Sequence, residues 1–209
     1  MICSTAIALR QIKMVIPATS SVGEDTTFGL NCVVGENVSI GARVKIGNMC
    51  VIEDGTVIAD DVVIDHFCII GEKCAIGRST RIRSHVELRK LTKVGADCYI
   101  DSGVKSSGLN RIGDRVTLRY DAIIARGCDI QDDAYICPQV MTNNLDHNGN
   151  EVGGATIGPK CFIGTNSTIG AGIKIAERTV IGSKAMVVKT IEEAGVYVGV
   201  PAKKIKDLT

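Results

Sequence analysis

Tryptophan is absent from this 209-residue chain, and aromatic residues make up only 3% of it. A core built on large rings is thereby excluded, although 45% of the residues are apolar. Charge of one sign is also missing, with 24 Lys and Arg against 23 Asp and Glu, a net charge of +1. That balance removes the electrostatic case for nucleic acid or an anionic membrane surface as partner. No apolar run approaches the ~20 residues that span a bilayer, so no membrane insertion is expected. The stretch Met1 to Ser21 holds Arg10 and Lys13 inside it. It lacks the basic-then-apolar order of a secretory leader, and a cytoplasmic location is expected. Histidine is scarce, occurring only as His66, His85 and His147. The usual general base at neutral pH therefore has three candidate positions.

What the chain does have is a beat. Every sixth residue from Val22 is apolar, through Phe28, Val34, Ile40, Ile46, Ile52 and on to Ile124, Ile130 and Ile136. Nineteen of those twenty positions are large and apolar, Ser106 being the exception. A second run holds the same beat in a new phase from Ile157 to Val187. Neither a 3.6-residue helix nor a period-2 strand sustains six residues for so long. A fixed short period over most of a chain marks a solenoid.

Nine cysteines suggest disulfides or zinc until they are placed on this beat. Cys32, Cys50, Cys68, Cys74, Cys98, Cys128 and Cys161 each stand two residues before a column position. Val, Thr, Ala and Ser fill the same slot elsewhere, so it takes a small inward side chain, and free Cys packs as a small hydrophobe. No CxxC pair argues for metal. In half of the hexads Gly follows the column residue, and its conformational freedom suits a tight corner after a short strand. Three hexads then close a triangular coil of eighteen residues, and coils stack ~4.8 Å apart through parallel hydrogen bonding.

The organisation read from this is an N-terminal segment over 1–21, a repeat region over 22–190, and a C-terminal strand and cap over 191–209. Ser106 marks a bulge or a wetter corner. The one long break lies between Ile136 and Ile157, a span rich in Asn, Gly and Asp, read as a loop over about 138–155. Function concentrates on loops held by rigid scaffolds. This loop carries His147 beside Asp146, with Asn143 and Asn144 near. A carboxylate can orient an imidazole and raise its basicity, and amides can hydrogen-bond a substrate. By register, His85 shares an exposed strip with Gly103, Asp121 and Gln139. The loop is expected to leave from that same edge just after Ile136, one coil from Arg119, Tyr120 and Asp121, so Arg119 and Asp121 join the asparagines as candidate acceptor-binding residues.

The [aliphatic]-Gly-x-x-x-x pattern resembles the hexapeptide-repeat family of left-handed parallel β-helices, over roughly four-fifths of the chain. Its handedness is implied by the resemblance and runs against the usual right-handed crossover. The family is dominated by CoA-dependent acyltransferases, sugar O- and N-acetyltransferases among them. Thr156-Ile157-Gly158-Pro159-Lys160-Cys161-Phe162-Ile163-Gly164-Thr165-Asn166 is similar to their return from loop to coil. Val180-Ile181-Gly182-Ser183-Lys184-Ala185-Met186-Val187-Val188-Lys189 and Gly199-Val200-Pro201-Ala202-Lys203 are similar to their CoA-binding end. The resemblance implies acetyl-CoA as co-substrate, held by Gly164, Thr165, Ser183, Ala185, Lys189 and Lys203, with no metal. It implies a homotrimer acting on a sugar or nucleotide-sugar acceptor, with the loop His as base. His147 stands three residues later than the catalytic His of the galactoside and maltose type, where Asn144 would be, so the base stays open. Ile64-Asp65-His66-Phe67-Cys68 resembles the base-bearing segment of some sugar N-acetyltransferases. Two other classes remain: a non-catalytic scaffold or binding module, and a γ-type carbonic anhydrase, whose close histidine pair this chain lacks.

Overall fold

The computed structural model describes residues 15–208, so Cys3 and most of the 1–21 segment lie outside it. Every strand from Ser21–Val22 to Met186–Val187 is two residues long and is followed by a corner. Successive strands fall on three faces in turn. Face A begins with Ser21–Val22, face B with Thr27–Phe28 and face C with Val33–Val34. Through the regular coils each strand pairs in parallel with the one eighteen residues on, as in Ala75↔Lys93 and Arg81↔Tyr99, and across the long break the step is twenty-seven, as in Asp129↔Thr156. The result is an all-β, left-handed triangular solenoid of about ten turns.

Two residues per strand are enough because each has one task. The first points out and the second, the column residue, points in. Ile52, Ile64, Ile70, Ile82, Ile100 and Ile130 are fully buried. A narrow prism has no space for indole or phenol rings at its axis, so stacked Ile and Val fill it and the scarcity of aromatics follows. The eight described cysteines are free and buried. Burial pushes the Cys98 and Cys161 thiols up to about 11, which keeps them protonated and inert.

The glycines after the column residues have a different cause from the one expected. The left-handed residue of each corner stands two places later and is mostly not Gly, as at Asp25, Asn31, Asn37 and Asp61, with φ of 56–60°. The earlier glycines are there for close approach. A Cβ on Gly41 would lie 2.7 Å from the Asp60 backbone N, and one on Gly77 would lie 2.4 Å from the Gly95 carbonyl carbon.

The long break also differs. Thr142 keeps the beat from Ile136 and is buried, in a Met141–Thr142 strand that pairs with face C on both sides. The departure is therefore not at 138. The Gly172 N–H donates to the Gly153 carbonyl, as the Asp61 N–H donates to that of Ala42 one coil down, so Gly153 already stands in the normal corner. Residues 144–152 are the insertion. They leave from the corner between faces C and A, whereas Arg119, Tyr120 and Asp121 form the corner between faces B and C. The expected shared edge is not observed. At the C-terminus, Val196–Val198 extends face B in parallel, and Lys203–Lys206 folds back on it antiparallel.

Candidate functional site

The insertion is a small hairpin closed by its own polar groups. The Asn144 carbonyl accepts the Val152 and Gly153 N–H groups, and Leu145 bridges Glu151. Asp146 caps the tip. Its Oδ1 accepts the Asn148 and Asn150 N–H groups at 2.8 and 2.9 Å, and its Oδ2 accepts Asn150 Nδ2 at 2.9 Å. These donors hold the Asp146 carboxyl below its ordinary range. The carboxylate is thus occupied in shaping the turn, and no hydrogen bond joins it to His147 among the described residues. His147 stands exposed at the tip. Asn143 and Asn144 are half-buried at the base, and the Asn143 N–H continues the sheet to the Ile169 carbonyl at 2.9 Å. Arg126 Nε reaches Glu151 at 3.6 Å and ties the hairpin to the coil beneath.

Directly under the hairpin the apolar core carries a polar thread. Ser106 Oγ lies 2.8 Å from Thr92 Oγ1 and accepts Asn110 Nδ2 at 2.8 Å. Asn110 Oδ1 accepts the Cys128 N–H at 2.9 Å, and Cys128 Sγ donates to Thr142 Oγ1 at 3.3 Å. Elsewhere on this face the N–H after a column residue meets the column carbonyl one coil on, as from Arg89 to Ser106 and from Ser107 to Ile124. At Ala125 the acceptor is Thr142 Oγ1 instead, at 2.7 Å. The ladder is interrupted where the hairpin leaves, and the threonine hydroxyl replaces the lost carbonyl. Thr142→Val keeps the shape and leaves the buried Ala125 N–H unpaired. It is expected to cost about 1–3 kcal/mol, read as a lower urea midpoint with unchanged slope. Thr142→Ser should restore most of the loss.

The cofactor candidates divide between two edges of face C. Lys189 lies on the hairpin's own corner, two coils further on, or ~10 Å along the axis. It lines a hollow of about 310 Å³ together with Thr190, Tyr197, Pro201, Lys203 and Lys204. Lys189 and Lys203 are exposed there, without a carboxylate partner among the described residues. Lys204 is paired with Glu193 and Asp207. Gly164, Thr165 and Ser183 lie on the other corner, between faces B and C. The Gly164 N–H is spent on the Ile181 carbonyl at 2.8 Å, so it is not free to stabilise an oxyanion. The Thr165 amide and hydroxyl lie against Cys137, whose thiol burial pushes up. Ala185 is buried, two residues before Val187, in the small inward slot. Its methyl lines the core, not a groove.

Arg119 and Asp121 sit on that same second corner. Arg119 Nε donates to the buried Asp101 Oδ2 at 3.0 Å, its Nη1 donates to the Tyr135 hydroxyl, and its guanidinium stacks over Tyr120. It is a brace between coils and is committed. The signal that could have found the Asp101 contact was the coil length, since Asp101 stands eighteen residues before Arg119. His66 is structural too. Its Nδ1 accepts the Asn48 N–H at 2.8 Å, one coil below. Among the described residues no three His, Cys, Asp or Glu side chains form a metal-binding group.

Residues 154–189 match the family described as bacterial transferase hexapeptide (six repeats), and residues 11–105 match the GMPPB C-terminal domain. The chain is 30% identical over 128 residues to a serine acetyltransferase of Mycobacterium tuberculosis, which covers 60% of this chain and 48% of that protein. It is 41% identical over 56 residues to a chloramphenicol acetyltransferase of Klebsiella aerogenes, 27% of each chain. It therefore spans half or less of the length of these relatives. The solved structure of UDP-N-acetylglucosamine O-acyltransferase from Moraxella catarrhalis superposes with a TM-score of 0.54 over 92% of this chain and 72% of that one, at 19% identity.

Proposed function

This chain belongs to the hexapeptide-repeat, parallel β-helix proteins, and from that premise we propose that it is a CoA-dependent acyltransferase. It transfers an acetyl group to an amine or hydroxyl of a sugar or nucleotide sugar. The observation that carries the reading is the insertion 144–152. It is the one departure from the coil within the repeat, it bears a free imidazole, and a lysine-lined hollow lies on its own edge two coils away.

In this reading the phosphates of acetyl-CoA meet Lys189 and Lys203, and the pantetheine arm runs along the stacked coils towards the hairpin. The His147 imidazole takes the proton from the acceptor N–H or O–H as that atom attacks the thioester carbon. The tetrahedral oxyanion collapses, the C–S bond breaks, and the imidazolium returns the proton to the departing thiolate. Asn143 and Asn144 orient the acceptor. With the Gly164 amide spent in the sheet, the oxyanion takes its donor from elsewhere in the cleft. Holding both substrates together supplies much of the remaining rate.

Thr165 and Ser183 flank face C on the edge away from the hairpin. A second copy of the chain resolves this separation if its edge meets the first copy's hairpin, and we therefore expect a homotrimer with its sites in the clefts. The outward residues Ile123, Met141 and Met186 of face C are exposed and apolar, as an interface would have them. Sedimentation equilibrium tests the assembly.

The deciding assay is release of free thiol from acetyl-CoA in the presence of a panel of amino sugars and nucleotide sugars. Lys189→Ala and Lys203→Ala are each expected to raise the Kd for CoA about tenfold, about 1.4 kcal/mol, with the effect shrinking as salt rises. If calorimetry with the unaltered protein shows no CoA binding, the chain is a scaffold or binding module instead.

A further inference from the structure

Along the corner between faces B and C, one residue per coil forms an outer strip: Phe67, His85, Gly103, Asp121 and Gln139. All five have left-handed backbones, so the four that carry side chains project them in register. Phe67 and His85 stack in parallel, with centroids 4.9 Å apart and planes within 3°. The next rung, Gly103, has no side chain. Above it the Asp121 carboxylate leans into the vacancy, because a Cβ on Gly103 would lie 2.1 Å from Asp121 Oδ1. One face of the His85 ring is covered by Phe67, and the other looks into the gap. Glu87 and Lys105 form the side wall on face C, and the hollow measures about 390 Å³. Glu87 gives Oε1 to Arg89 at 2.8 Å, and Lys105 has no carboxylate partner among the described residues.

We propose that this slot is a binding site for a sugar ring, separate from the loop. The chemistry around it sets the ligand class. An aromatic ring face suits the C–H face of a pyranose, while carboxylate, imidazole and ammonium groups accept and donate to its hydroxyls. Two carboxylates repel a phosphate, and the mixture of signs favours a neutral ligand with many hydroxyls over an ion of either charge. The volume falls within the range of small-ligand clefts. The sugar held here is not the one that reacts. Three coils, or ~14 Å, separate Gly103 from Asn166 at the acyl-transfer end of the same strip, and the hairpin leaves from the opposite edge. The site suits a remote ring of an extended acceptor, and it does not rest on the loop carrying the base.

The three histidines make the test direct. In protein labelled with ¹³C-histidine the imidazole Cε1–H groups of His66, His85 and His147 give three signals, assigned by single replacement. Methyl α-glucoside, N-acetylglucosamine and maltotriose are titrated in turn, with uridine and inorganic phosphate as controls. A saturable shift of the His85 signal with a sugar, abolished in Asp121→Ala while the His66 signal stays in place, is the expected result. His66 reports the fold, since its ring nitrogen is a rung of the ladder. No sugar-induced shift at His85, a shift only at His147, or a shift only with uridine or phosphate overturns the proposal.

Discussion

His147→Ala is expected to lower kcat for acetyl transfer by about two to four orders of magnitude, the usual contribution of a positioned general base. CoA affinity should stay within a factor of about two, because Lys189 lies two coils beyond the hairpin and Lys203 lines the same hollow. The effect should fall on kcat and kcat/KM together, as for an interaction made in the transition state. A free imidazole on a solvent-facing tip has no competing structural task, in contrast to His66, which caps the Asn48 N–H. The same geometry separates His147 from Asp146. Asp146→Ala removes three hydrogen bonds within the tip and should loosen the turn, so its damage comes through position, not through lost basicity. Single-turnover kinetics with pre-bound acetyl-CoA measures both variants. Undiminished turnover in His147→Ala would move the base elsewhere, and Asn144→Ala in parallel tests the alternative register.

The six-residue column was sufficient to read the solenoid, because one residue in six has no alternative to the prism axis. The small slot two places earlier was equally legible and accounted for seven cysteines. That rule also covered Ala185, which stands two residues before Val187 and is inward for the same reason. Its assignment to a groove followed the family motif against the chain's own register. The loop boundary failed on a single residue. Thr142 is polar, so a column counted on apolar residues alone ends at Ile136, although Thr142 sits on the beat. Ser106 has the same explanation. Both are column residues of face C, and both belong to the buried thread that replaces a backbone acceptor under the hairpin. Asp146-His147 looked like an oriented dyad, but an Asp followed by Asn148, Gly149 and Asn150 has turn amides closer to hand. The Arg119–Asp101 brace was open to the same counting, because the two residues stand one coil of eighteen apart, whereas the Tyr135 contact at sixteen was not.

Excising residues 144–152 is expected to leave a folded, CoA-binding protein with no transferase activity. The deletion joins Asn143 to Gly153 and restores the six-residue step from Thr142 to Ile157. Gly153 and Gly154 already occupy the second and third corner places, as the bond from the Gly172 N–H to the Gly153 carbonyl shows, and Gly154 can adopt the left-handed angle that the third place requires. Ala155 already fills the small inward slot. With the chain no longer swung out, the Thr142 carbonyl can take the Ala125 N–H, and the hydroxyl is released from that duty. Shortening a surface loop also lowers its closure entropy, though only by a fraction of a kcal/mol. The melting temperature should therefore hold or rise, and calorimetric CoA binding should persist. Loss of both folding and CoA binding would mean that the hairpin is part of the scaffold. Retained activity would remove the hairpin, and His147 with it, from the chemistry.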